Sequence, residues 1–333
     1  MTRPLGVAIL GCGLIGQKRS KALANTKLVV CGDINEARAK SLASGFPDCV
    51  GTADWRAAVQ RDDVDIVIVA TTNDALVDAS LAAVHAGKHV LVEKPAARNT
   101  KELDALVEAA NRLEVQVRVG FNHRYHPALL KAHELVDAGE LGELMFIRGR
   151  YGHGGRKGYD REWRANPELS GGGELIDQGV HLIDLSRWFL GNFSEIQGFA
   201  HTYFWDMPVD DNGFMILKTE KKQTAFLHVS CTEWKNLFSL EIYGHDAKLH
   251  IEGLGGSYGV EKLSFYKMLP EMGPPDTTAW EYPRGDNSWK LEFDEFLEDV
   301  RLGRTPSANL NDAREALLAV EKIYKDSGYD HHA

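Results

Sequence analysis

Six residues, Gly11-Cys12-Gly13-Leu14-Ile15-Gly16, constrain the fold of this chain more than any other stretch. They follow an apolar run, Gly6 to Leu10, and precede a helical pattern from Gln17 to Asn25, so the glycines stand where a strand turns into a helix. Gly11 permits the tight turn, Gly13 lets the backbone approach a pyrophosphate, and Gly16 lets the helix pack closely on the strand. The first helical turn then offers unpaired N–H groups and a positive dipole end to phosphate. The expectation is the opening βαβ unit of a dinucleotide-binding sheet, with Gly11, Gly13, Leu14, Ile15 and Gly16 along the phosphates.

Asp33 stands 17 residues after Gly16, at the end of the second apolar run. A carboxylate there accepts hydrogen bonds from ribose hydroxyls and repels a 2′-phosphate, which favours NAD over NADP, although nearby Arg38 is of the type that serves a 2′-phosphate. Further strands are expected at Leu28 to Cys31, Ile66 to Ala70, His89 to Val92 and Val115 to Val119, each apolar almost throughout, as in a parallel sheet covered on both faces. Helical stretches Ala75 to Ala86, closed by Gly87, and Lys101 to Arg112 lie between them. Thr71, Thr72 and Asn73 follow the third of the long strands and belong to the expected cofactor pocket.

The texture changes near residue 121. A helix at Pro127 to Ala138, a strand at Leu144 to Arg150, a glycine-rich charged loop and a helix from Gly173 to Leu190 come first. Alternating segments follow at Glu195 to Trp205, Phe214 to Lys218, Thr224 to Ser230, Phe238 to Tyr243 and Lys248 to Ile251, then helices near Ser288 to Leu302 and Asn311 to Asp326. At 333 residues two domains are expected. These are an α/β Rossmann domain at 1–122 and an α+β domain at 123–333 with a large, mostly antiparallel, open-faced sheet, whose C-terminal helices pack back on the first domain.

Composition removes several classes of function. A net charge of -10 argues against a nucleic-acid surface, and no apolar run approaches a membrane span. The Met1 to Leu5 stretch lacks the apolar region of a signal peptide, so a cytoplasmic location is the default. Cys12, Cys31, Cys49 and Cys231 show no Cys-x-x-Cys spacing, and reduced thiols are expected instead of a zinc site or a disulfide scaffold.

Residues 89–95 read His-Val-Leu-Val-Glu93-Lys94-Pro95, and 171–184 read Gly-Gly-Gly-Glu-Leu-Ile-Asp177-Gln-Gly-Val-His181-Leu-Ile-Asp184. With the glycine loop and Gly120-Phe121-Asn122-His123-Arg124, these make the chain resemble the glucose-fructose oxidoreductase and inositol dehydrogenase (Gfo/Idh/MocA) family over essentially its whole length. The resemblance implies an NAD(P)-dependent enzyme acting on a sugar-like substrate, with His181 as base, and often a cis Lys94-Pro95 bond. One departure concerns the cofactor pocket. Where the family frequently has Pro-Asn followed by histidine after the third strand, this chain has Thr72-Asn73-Asp74-Ala75-Leu76.

The residues carry a reading of their own. At roughly 100° per residue, Asp177, His181 and Asp184 share a narrow arc of one helix face, opposite the apolar Leu175/Leu182/Phe189 and Ile176/Ile183/Leu190. Taken alone, this pattern also describes a solvated polar face, or two ligands of a metal ion for which no third or fourth is evident at a recognisable spacing. Hydride removal from a secondary alcohol leaves a proton on oxygen, for which histidine is the natural base. Asp177 is then expected to orient the imidazole or bind the substrate hydroxyl. Lys94, at the end of the fourth long strand, is expected to stabilise the developing alkoxide. The catalytic set is Lys94, Asp177 and His181. Glu93, Lys94, Asn122 and Arg164 join the cofactor set, and no metal is expected.

Between residues 148 and 164 lie Arg148, Arg150, Arg156, Lys157, Arg161 and Arg164 against Asp160 and Glu162, a local +4. With Tyr151, His153, Tyr159 and Trp163 in the same segment, this suits either an anionic sugar derivative, such as a nucleotide sugar or a uronate, or a subunit interface or solvated loop. Arg124, after the fifth strand, is a further candidate for the wall of the substrate cleft. The functional expectation is therefore reversible oxidation of a sugar-type secondary hydroxyl with NAD, by a homodimer or homotetramer. The alternatives are an inositol-type dehydrogenase and an enzyme that recycles tightly held NAD. A non-enzymatic NAD-binding protein is disfavoured by Lys94, Asp177 and His181. Other histidines, including His85, His123, His126, His331 and His332, read as structural or solvated.

Overall fold

The computed structural model describes residues 3–23, 25–271 and 273–329; Met1, Thr2, His331 and His332 lie outside the described residues. It contains two compact units, Met1–Phe121 with Trp289–Arg314 and Asn122–Ser288 with Glu315–Ala333. The sequence boundary at residue 123 thus falls beside the first of these divisions, while residues 289–314 belong with the N-terminal unit.

In the first unit the chain runs β1 (Leu5–Leu10), α1 (Leu14–Lys21), β2 (Thr26–Gly32), α2 (Glu36–Ala43), β3 (Val50–Thr52), α3 (Trp55–Val59), β4 (Ile66–Val69), α4 (Asn73–His85), β5 (His89–Glu93), α5 (Thr100–Leu113) and β6 (Val117–Gly120). The strands form one parallel sheet in the order β3-β2-β1-β4-β5-β6. The order reverses between β1 and β4, and the carboxyl ends of those two strands border the crevice where open α/β sheets bind ligands. The long strands stand where their apolar runs were read. β3 was not anticipated, because three partly exposed residues at a sheet edge are too few to show a hydrophobic period.

The second unit opens with a tight 3₁₀ turn, Asn122–Tyr125, followed by α6 (Pro127–Asp137), β7 (Leu144–Gly152), the short α7 (Pro167–Ser170), a π-helical turn at Leu175–Gly179 and α8 (Val180–Leu190). Seven strands follow: β8 (Glu195–His201), β9 (Asn212–Lys218), β10 (Thr224–Ser230), β11 (Leu237–Gly244), β12 (Ala247–Glu252), β13 (Glu261–Lys267) and β14 (Asp276–Tyr282). With β7 they make an eight-stranded sheet, β14-β13-β12-β11-β7-β10-β9-β8, antiparallel except for the β7–β10 pair. β13 and β14 escaped the sequence reading: β14 is mostly exposed and polar at the sheet edge, so no buried face imposes an alternation. One sheet face receives α8, where a Cβ at Gly149 would touch Leu182, Leu227 and Leu240. The other leaves Met145, Phe146, Ile216 and Phe226 exposed.

The expected single helix from Gly173 to Leu190 is corrected at its start, and the cause is Asp210. Its buried carboxylate accepts the Gly173 N–H at 2.9 Å, the Leu175 N–H at 2.8 Å and the Tyr324 hydroxyl at 2.6 Å. The Tyr324 oxygen in turn accepts the N–H groups of Gly173 and Ile176. These donors are held by side chains, and the turn that follows widens to π geometry, a form concentrated at functional sites. The approach is close enough that a Cβ at Gly173 would lie 1.9 Å from the Asp210 carbonyl oxygen. The expectation of a free polar face is also corrected. From Val180 to Arg187 α8 is buried on all sides, and Asp184 is held by Arg124, whose Nε donates to it at 2.8 Å.

The chain ends with α9 (Ser288–Leu302) and α10 (Leu310–Ser327), and the boundary between units at residues 314 and 315 falls inside α10. Within the first unit, Arg19 of α1 is fully buried and bonds both Glu93 at the end of β5 and Glu292 of α9. Trp289 covers its guanidinium at 4.5 Å. Arg118 of β6 repeats the device by bonding Asp299. Among the described residues no helix is long and apolar enough to cross a membrane.

Two outcomes are expected. Arg19→Met leaves two buried carboxylates without their cation and should lower stability by about 3–5 kcal/mol, read by chemical denaturation. Burial pushes the Asp210 carboxyl from the usual 3.8 up to about 6, against its three donors. A folded value above the unfolded one means that this group's contribution is full below about pH 4 and fades as pH rises through about 6. The stability of the wild type minus that of Asp210→Asn should therefore fall by roughly 2 kcal/mol between pH 4 and 7. A difference that does not change with pH would contradict this account.

Candidate active site

The cofactor half lies on the first unit. Gly11 has φ +90°, and a Cβ there would strike the Ala70 carbonyl at 2.3 Å, so the end of β1 turns directly beside the end of β4. A Cβ at Gly16 would lie 2.0 Å from the Gly11 carbonyl oxygen, whereas Gly13 has nothing within 4 Å and faces open space. The glycine roles read from the sequence are thus physically distinct in the structure. Asp33 is nearly buried, and its carboxylate accepts the N–H groups of Cys12 and Asn35, both at 2.8 Å. It ties the end of β2 to the glycine loop, and a carboxylate that accepts two bonds still has acceptor capacity. Exposed apolar side chains flank this region, Leu14 at 71% and Ile34 at 89%. Ile34 was missed by the sequence reading, since a lone isoleucine after a strand has no distinguishing pattern.

Thr71, Thr72 and Asn73 form the entry to α4, with Thr72 as its N-cap and the Thr71 hydroxyl donating to the Thr72 carbonyl at 3.1 Å. Lys94 directly follows β5, is half-buried, and the Lys94-Pro95 bond is cis. Glu93 was expected at the cofactor, but its carboxylate is committed to Arg19 inside the fold, so it supports the strand end that carries Lys94.

The residues expected to handle the proton lie on the second unit. His181 sits in the first turn of α8, buried, its ring stacked on His123 with centroids 3.7 Å apart and planes 21° from parallel. Asn122, also expected at the cofactor, is instead buried behind this stack: its amide oxygen faces His123 Nδ1 at 3.2 Å and its amide nitrogen donates to Ser288 Oγ at 2.8 Å. His123 had been read as structural. The motif containing it was noted, but stacking on a residue 58 positions later leaves no local pattern.

Asp177 belongs to the π turn, and Arg164 donates to its Oδ2 from Nε at 3.0 Å. Arg164, expected at the cofactor, is therefore engaged with the expected catalytic carboxylate. The negative charge of Asp177 raises the Arg164 pKa, with burial opposing it. Tyr151 and Tyr159 are buried nearby, Tyr151 against Tyr258 and His181, and Tyr159 against His153 and Trp205. Trp163 lies under the Arg164 guanidinium at 4.5 Å. His153 faces Glu174 at 3.6 Å; burial alone would lower its pKa, and the hydrogen bond and charge of Glu174 overcome that and raise it. His153 belongs to the basic, aromatic segment singled out in the sequence, whereas Glu174 and Tyr258 are further candidate site residues to which the sequence reading gave no role. Arg124 is a different case, because its pairing with Asp184 makes it part of the support for α8 instead of a wall of the substrate site.

The local +4 segment divides between environments. Arg148 bonds Glu241, Arg156 bonds Glu162 at 2.7 Å and Arg164 bonds Asp177. Arg148 and Arg150 also point to the exposed sheet face, opposite Ile147, Gly149 and Tyr151. Among the described residues no group of three or more His, Cys, Asp or Glu side chains could hold a metal ion.

Two family models match this chain, one in each unit. Residues 5–121 match the model for an oxidoreductase family with an NAD-binding Rossmann fold, and residues 129–250 match the GFO/IDH/MocA C-terminal domain. Levoglucosan dehydrogenase of Pseudarthrobacter phenanthrenivorans is 29% identical over 65% of this chain, which spans 58% of that protein's length. The scyllo-inositol 2-dehydrogenase (NAD(+)) of Bacillus subtilis is 26% identical over 92% of this chain and 89% of its own. A solved levoglucosan dehydrogenase in complex with NADH has the same fold, with a TM-score of 0.87 at 22% identity over 98% of each chain. With a glycine loop and Asp33 in the first unit and the His181 turn in the second, the chain belongs to the Gfo/Idh/MocA family of NAD-dependent oxidoreductases.

Proposed function

We propose that this enzyme interconverts a secondary hydroxyl and a ketone on an uncharged sugar or polyol, with His181 as the base. The observation that carries this reading is the buried His181 ring at the start of α8, fixed in plane by His123 and one turn from Asp177. NAD, when bound, supplies the hydride acceptor. His181 takes the hydroxyl proton as the carbinol carbon loses hydride, and returns it in the reverse direction. Lys94, at the carboxyl end of β5, is the proposed hydrogen-bond donor for negative charge developing on a substrate oxygen. Asp177, steadied by Arg164, accepts a hydrogen bond from a second hydroxyl or orients the imidazole. The relatives named for inositol and levoglucosan oxidation act on neutral, hydroxyl-rich rings.

An uncharged substrate is favoured over an anionic one because Arg148, Arg156 and Arg164 are already paired with carboxylates. Four free thiols suit a reducing compartment, in keeping with a cytoplasmic enzyme. The exposed Met145, Phe146, Ile216 and Phe226 face is proposed as the surface through which copies associate, and light scattering should return more than one chain per particle.

A panel of inositols, anhydrosugars, free sugars, uronates and nucleotide sugars, followed by NADH absorbance, should show turnover with neutral members. Faster oxidation of a nucleotide sugar or uronate would reject the uncharged substrate. His181→Ala should lose about 10²- to 10⁴-fold in kcat while NADH affinity is kept. Unchanged turnover would remove His181 as the base.

A further inference from the structure

The first unit holds three cysteines around the end of β2, and none takes part in the chemistry above. Cys31 is fully buried on β2, and its Sγ lies 3.7 Å from the Sγ of Cys49, the residue before β3. The two strands run side by side in register, Val30 opposite Val50 and Cys31 opposite Gly51. Cys12, in the glycine loop, directs its thiol to the Gly32 carbonyl at 3.6 Å. Cys49 is the member of the group that solvent reaches.

We propose that Cys31 and Cys49 form an oxidisable dithiol whose closure to a disulfide weakens NAD binding. The pair is poised asymmetrically. The hydrogen bond with Cys31 lowers the Cys49 pKa, burial opposes this, and the charge of Arg61 adds to the lowering. Cys31 is pushed up by its neighbours Cys12 and Cys49 and by burial. The accessible thiol is therefore the better nucleophile and the buried one the resolving partner.

With hydrogen peroxide as oxidant, the Cys49 thiolate attacks one peroxide oxygen, the O–O bond breaks, and protonation of the departing hydroxide releases water and leaves Cys49 sulfenic acid. The Cys31 sulfur then attacks the Cys49 sulfur. The S–O bond breaks, the thiol proton leaves with the hydroxyl as a second water, and the disulfide forms. Two thiols are oxidised by two electrons and one peroxide is reduced.

Bond formation draws the sulfurs together by roughly 1.7 Å, to an S–S length of about 2.0 Å. That movement falls on the strand end that positions the cofactor loop. Gly32, next to Cys31, accepts the Gly11 N–H at 2.8 Å, and Asp33, one residue further, accepts the Cys12 N–H at 2.8 Å. Displacing these bonds shifts both the glycine turn and the ribose-binding carboxylate.

The experiment treats the reduced full-length protein with hydrogen peroxide, removes the oxidant, and divides the sample. One part is denatured and alkylated for peptide mapping by mass spectrometry, and the other is titrated with NADH by fluorescence. The expected result is a Cys31–Cys49 linked peptide, with Cys12 and Cys231 still alkylated. NADH affinity should be weaker by about tenfold or more and restored by a thiol reductant. Cys49→Ser, at a half-buried position, should bind NADH as the reduced wild type does and keep that affinity after peroxide. The proposal is overturned if Cys31 and Cys49 stay alkylated, if the bridge joins another pair, if the linked protein binds NADH as tightly as the reduced one, or if Cys49→Ser loses affinity equally.

Discussion

The first unit depends on a cation placed where no water can reach it. Arg19 lies on the helix that follows the glycine loop, yet its guanidinium is buried between Glu93 and Glu292 with the Trp289 ring over it. A buried charge is tolerable only when partners and hydrogen bonds replace its hydration. The arrangement therefore joins three elements that are far apart in sequence: the helix α1 that follows the glycine loop, the strand end that carries Lys94, and α9. Gly120 belongs to the same arrangement, since a Cβ there would lie 2.7 Å from Arg19 Nη2 and 3.0 Å from Glu93 Oε2. Glu93 and Gly120, both parts of the family-like motifs, thus owe their identity to a structural charge cluster.

A comparable constraint acts in the second unit. The Asp210 carboxylate and the Tyr324 hydroxyl take up backbone N–H groups ahead of α8, and a π turn follows in place of a regular start. Asp177 rides on that turn and His181 on the α-helical turn after it. The local backbone departs from regularity where the proposed chemistry needs two side chains presented in a particular way. Arg164 and His123 then fix the carboxylate and the imidazole from outside the helix.

Much of this could be read from the chain. The apolar strands of the first sheet, the glycine turn, Asp33, and the position of Lys94 after a strand all have short-range signatures, because burial on both faces and a tight turn each demand particular residues in sequence. The strand pattern of the second unit was legible through β12, where one buried face imposes alternation. It failed at β14, whose exposed edge position imposes none. Among site residues, Asp177 and His181 were visible from their motif, but the helical-wheel argument used for them assumed an α-helix with one wet face. The helix proved to be buried all round, and Asp184 an internal partner of Arg124.

The sequence by itself determined the fold class, the family and the NAD-binding turn, since each follows from residue types at fixed local spacing. Tertiary structure decided which charges are paired inside the fold. Arg164, Arg124, Glu93 and Arg148 are all plausible ligand contacts as letters in a chain, and each is engaged by an opposite charge brought from elsewhere: Asp177, Asp184, Arg19 and Glu241. The same is true of Cys31 and Cys49, whose spacing in the sequence suggests nothing and whose sulfurs are adjacent because β2 and β3 pair in parallel. Pairing of this kind depends on how strands and helices meet in space, and local sequence pattern does not record it.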